Sequence, residues 1–82
     1  MKYVKDDIVT CKNDIDYVIT KVDKVKGNYR AVPLIQLQWG FNNPLSCKIE
    51  EQHIVKLSGR NTKHGIILGG IKEENWRHTL IN

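Results

Sequence analysis

The side chains able to do chemistry are few in this 82-residue chain: Cys11 and Cys47, and His53, His64 and His78. A structural metal centre needs sulfur and imidazole ligands at short, repeated spacings. Here the cysteines lie 36 positions apart and the histidines share no ligand spacing, so no metal is expected. Both cysteines sit in apolar, strand-like surroundings, which predicts reduced, buried thiols rather than a disulfide. None of the histidines has a Cys or Ser in a nucleophile elbow. "GIILGG" (65–70) has glycines but lacks the following Lys and the helix opening that a phosphate cradle requires. Glu50-Glu51 and Glu73-Glu74 are sequence neighbours. They point to opposite sides of a strand, or about 100° apart on a helix, which unsuits them to paired acid–base work. The expectation is a protein with no catalytic site and no cofactor.

Binding chemistry is better represented. The formal net charge is +4, and the excess is local. Residues 21–30 carry Lys21, Lys24, Lys26 and Arg30 against Asp23 alone, and a second excess of cations falls within 58–82. A basic patch permits contact with phosphates without requiring it. Four large rings, Tyr17, Trp39, Phe41 and Trp76, are candidate anchors for a partner.

Eighty-two residues make one small domain, which buries roughly 60% of its unfolded surface. With 40% hydrophobic and 27% charged residues it has the composition of a folded chain. No apolar run approaches the roughly 18 residues of a transmembrane helix. Asp6 and Asp7 stand where a secretory leader would need its apolar middle, so a cytoplasmic protein is expected.

The first 57 residues read as β structure. "DDIVTCK" forms a short strand, "KNDID" (12–16) a turn, and "YVITKVDKV" (17–25) a long, bent strand rich in β-branched residues. "KGN" (26–28) supplies residues tolerant of positive φ for a tight hairpin. From Tyr29 to Phe41 every odd position is apolar: Tyr29, Ala31, Pro33, Ile35, Leu37, Trp39, Phe41. That alternation predicts one long strand with Trp39 and Phe41 on the face of Ile35 and Leu37. At least one of the two rings is then expected in the core. Phe41, beside Asn42-Asn43-Pro44, is the ring nearer solvent. In "SCKIEEQHIVKL" (46–57), Cys47 and Ile49 form a strand, "EEQH" a single helical turn, and Ile54 and Leu57 a last strand.

Asp7-x-Val9-x-Cys11, a bent second strand, a glycine hairpin, a third strand opening at Tyr29, and Ile49-x-x-x-x-Ile54-x-x-Leu57 together resemble an SH3-like barrel of the KOW and Tudor type. The resemblance spans residues 6–57 and implies a mainly β, five-stranded barrel. Residues 12–16 are too short for the acidic, aromatic first loop of signalling SH3 domains. They also lack the glycine of a KOW turn, so no ligand residue carries over. A barrel over 1–57 would leave 58–82 as a C-terminal extension. Within it, 65–70 suits an added strand, and 71–81 suits a short helix, with Glu73 and Glu74 early, Arg77 and His78 late, and Trp76 and Leu80 four apart.

Two functions follow as expectations. The first is a non-enzymatic module that binds a protein partner through Trp39, Phe41, Tyr17 and Trp76, or a second copy of the chain through the extension. In style the composition resembles small accessory or regulatory proteins of bacteria and their phages or prophages. The second is a nucleic-acid binder using Lys21, Lys24, Lys26 and Arg30 on phosphates with Tyr29 as a stacking ring.

Overall fold

Val, Ile, Thr and Tyr crowd the first half of the chain and favour a pleated backbone. The computed structural model describes residues 2–40 and 42–68. It contains β1 (Asp7–Cys11), β2 (Asp16–Asp23), β3 (Asn28–Pro33), α1 (Leu34–Gln38), β4 (Cys47–Glu50), a 3-10 turn (Glu51–His53), β5 (Ile54–Thr62) and β6 (Gly65–Leu68). The six strands make one antiparallel sheet in the order β4-β3-β2-β1-β5-β6. No pairing joins β4 to β6, so the sheet is open rather than a closed barrel. No helix among the described residues is long and apolar enough to cross a membrane.

Both faces of the sheet are apolar at its centre. Successive strand residues point to opposite faces, and Ile8 and Val9 are each fully buried. Val9, Cys11, Tyr17, Ile19, Tyr29, Ala31 and Ile49 pack with Tyr3 on the inner face. Ile8, Val18 and Val32 pack on the outer face, where Leu34 and Leu37 of α1 and Ile66 of β6 cover them. Register shifts between Ile19 and Lys21, and twice between β1 and β5, bend the strands as bulges do.

Two expectations are corrected. The long strand from Tyr29 to Phe41 ends at Pro33, and residues 34–38 are helical. Proline cannot continue the ladder, and at φ −57° and ψ 131° it occupies the N-cap of α1. "LIQLQ" satisfies a helical period as well as an alternating one, and Leu and Gln favour helix over strand. Leu34 and Leu37 lie three apart on the covered face. Gly40, at φ +74°, ends the helix by donating its N–H to the Leu37 carbonyl at 3.1 Å. Ser58, Gly59, Asn61 and Thr62, residue types that favour a loop, are strand instead, because β5 runs on to Thr62 and carries β6 along its free side. Gly59 permits that approach: a Cβ there would lie 2.0 Å from the Ile67 carbonyl oxygen. The expected strand within 65–70 is present as β6 over Gly65–Leu68. The helix expected over 71–81 lies outside the described residues.

Candidate functional site

Trp39 closes α1 as its C-cap residue, where Gly40 turns the chain away. Because α1 lays Leu34 and Leu37 on the sheet, its other side faces solvent. Trp39 is 66% exposed, Ile35 is also exposed, and Leu45 beyond the next loop is 77% exposed. The Leu45 N–H donates to Gln36 Oε1 at 2.8 Å, which ties that loop to the helix. Beside them lies a groove of about 260 Å³ lined by Asp14, Ile15, Asp16, Leu34, Ile35 and Gln38. The β1–β2 turn that supplies its acidic side holds Asp14 at φ +63°. The result is an apolar surface rimmed by carboxylates.

Of the remaining ring candidates, Tyr17 does not join it. Tyr17 is buried on the inner face, with its hydroxyl accepting from Asn13 Nδ2 at 3.1 Å, whereas α1 covers the outer face. Phe41 and Trp76 lie outside the described residues.

Among the hairpin candidates, Tyr29 has no exposed surface. Its ring meets Tyr3 edge-on, with centroids 6.1 Å apart. Its hydroxyl accepts from the Tyr3 N–H at 3.2 Å and donates to Glu51 Oε1 at 2.6 Å. Burial, then the bond to Glu51, pushes the phenol up to about 12. The same bond, with the Lys2 N–H at 2.8 Å, holds the Glu51 carboxyl below its usual range. A ring so enclosed cannot stack on a base, so Tyr29 leaves the expected nucleic-acid surface and serves instead to lock residues 2–3 onto the 3-10 turn. Lys21, Lys24, Lys26 and Arg30 are exposed, as expected for phosphate contacts. Lys21 is directly opposite Arg30, and Arg30 is directly opposite Lys48 on the next strand.

The two thiols face a common pocket of about 330 Å³ that also touches Lys12, Asn13, Tyr17 and His53. Both are free. Burial raises each thiol, with Cys47 and Asp16 adding to the effect on Cys11, so neither is an activated nucleophile. Cys47 Sγ donates to the Ala31 carbonyl at 3.5 Å. The imidazole of His53 accepts the Glu50 N–H through Nδ1 at 3.3 Å, a capping role. His64 is exposed in the β5–β6 turn. No group of three metal-ligating side chains occurs among the described residues.

Compared with known proteins, the chain matches no family model, no curated protein and no solved structure.

Several residues of these surfaces escaped the sequence reading. Lys48 aligns with Lys21 and Arg30 only through strand register. Ile35 and Ile15 become neighbours only because residue 34 begins a helix. Asp7, read as a residue preceding a strand, is fully buried: Val4 N–H donates to its Oδ2 and Arg60 Nη1 to its Oδ1, each at 3.0 Å.

Proposed function

We propose that this protein is a non-enzymatic binding module, with the strand order of SH3-like barrels on an open sheet, that holds a protein partner on the surface centred on Trp39. The strand order and the 3-10 turn between β4 and β5 support that likeness. The exposure of Trp39 is the single observation that carries the partner reading. Tryptophan dominates binding energy where it can be buried by a partner, and an exposed Trp39 at the end of the helix that carries exposed Ile35 offers that gain. Asp14 and Asp16 on the rim favour a partner segment with an apolar anchor flanked by Lys or Arg.

A photo-crosslinking residue in place of Gln38, on the groove wall, tests this in the cells that make the protein. One discrete adduct is expected, lost in Trp39→Ala and weakened in Asp14→Lys, with thermal unfolding of both variants unchanged. An adduct of twice the chain mass identifies the partner as a second copy. An adduct pattern indifferent to Trp39→Ala contradicts the proposal.

A further inference from the structure

On the outer face of the sheet, Lys21, Arg30 and Lys48 stand side by side on β2, β3 and β4. Each pair is directly opposite in the antiparallel register, so all three side chains leave the same face, and all three are exposed. Neighbouring strands lie about 4.8 Å apart, which makes a line of three cations roughly 10 Å long across the strands. Like charges directly opposite one another destabilise a sheet.

The carboxylates on that face offset the line only in part, with Asp23 within electrostatic reach of Lys21. Asp23 and Glu50 occupy the next row, on either side of Asn28. Asp23 Oδ1 accepts the N–H groups of Val25 and Lys26 inside the hairpin turn, at 3.1 and 3.0 Å. Glu50 caps the 3-10 turn and accepts from Gln52 Nε2 at 2.9 Å. Lys21, Arg30 and Lys48 make no ion pair among the described residues, where Arg60–Asp7 is the ion pair found. On the other side, Val18 and Val32 are buried under α1. The line therefore has no exposed apolar neighbour in the adjoining row, and a protein interface needs an apolar centre. A guanidinium flanked by two ammonium groups suits phosphates.

We infer that Lys21, Arg30 and Lys48 form a binding site for the phosphodiester backbone of a nucleic acid. The site is separate from the Trp39 surface and independent of its partner. With Tyr29 buried, no ring in the line reads bases, so recognition is through the backbone and indifferent to sequence. Lys24 and Lys26 at the hairpin tip extend the field but belong to no paired row.

Three phosphate contacts fix the salt response. Affinity for labelled single-stranded RNA or duplex DNA, followed by fluorescence anisotropy, is expected to fall about 20- to 40-fold between ~50 and ~200 mM salt. A triple variant, Lys21→Gln with Arg30→Gln and Lys48→Gln, is expected to bind at least about tenfold more weakly at low salt and to lose most of the salt slope. It should melt no lower than the parent, because the substitution relieves like-charge repulsion. A control triple, Lys12→Gln with Lys56→Gln and Lys63→Gln, removes the same charge elsewhere and should stay within about threefold of the parent. Trp39→Ala should leave nucleic-acid affinity unchanged. Equal loss in both triples, a flat salt response, or polyglutamate binding as tightly as nucleic acid would each overturn the inference.

Discussion

Tyr29 and Trp39 lie ten positions apart, and their surroundings are opposite in kind. Tyr29 is sealed in the inner face, its hydroxyl bonded to Tyr3 and Glu51. Trp39 ends a five-residue helix on the outer side and is itself 66% exposed. Around Tyr29 the polar groups are committed to the fold, as Asp7 is to Val4 and Arg60. Lys21, Arg30 and Lys48, by contrast, are exposed and make no ion pair among the described residues. The difference implies that stability and recognition reside in separate parts of this small domain, so substitutions should divide cleanly between those that unfold it and those that only change what it binds.

The largest effect is expected at the ion pair between half-buried Arg60 and buried Asp7. Arg60→Ala takes the guanidinium away from the fully buried Asp7 carboxylate and should cost about 3–5 kcal/mol by urea unfolding. In a domain this small that is a large share of total stability. If Arg60→Ala unfolds at the parental urea concentration, the inner region is not where stability is held.

A smaller loss is expected at Tyr29. Tyr29→Phe keeps the ring and removes both hydroxyl bonds, which should cost about 1–2 kcal/mol. The variant also changes the response to pH. The unfolded phenol releases its proton near pH 10, whereas in the folded protein it keeps it to about 12. The raised value stabilises the fold fully below pH 10, and that contribution disappears as pH climbs from 10 to 12. Thermal unfolding of the parent should therefore fall over that window, and the share owed to Tyr29 should vanish in Tyr29→Phe. A parent and variant that decline alike would place the phenol in water.

At the small end, Trp39→Ala should shift stability by no more than about 0.5 kcal/mol, as for other exposed positions. A loss of the size expected for a buried ring, about 3–5 kcal/mol, would move Trp39 to the inner class.

Legibility in the sequence follows the same division. Strands with unambiguous patterns were readable: β1, β2, the turn before Asn28, the Cys47–Glu50 strand with its 3-10 turn, and β6. The hairpin was legible because Gly27 takes φ +73° and the Asp23 carboxylate gathers the turn N–H groups. Residues 34–38 were not, since Ile35 and Leu37 continue the alternation while Leu34 and Leu37 also share a helical face, and only Pro33 argues for the break. The length of β5 was hidden because Ser58, Gly59, Asn61 and Thr62 have the composition of a loop. Gly59 is there for the close passage of Ile67 rather than for a turn. The line of cations was legible only in part: Lys21 and Arg30 stood out by charge, but Lys48 joins them only through the register of three strands.

Trp39 itself offers the most direct test. The chain has two tryptophans, so Trp76→Phe leaves Trp39 as the single indole. Its fluorescence in the free protein should be red-shifted and strongly quenched by acrylamide. Emission that is blue-shifted and resists the quencher in the free protein would put the ring inside the fold and contradict its role as an anchor.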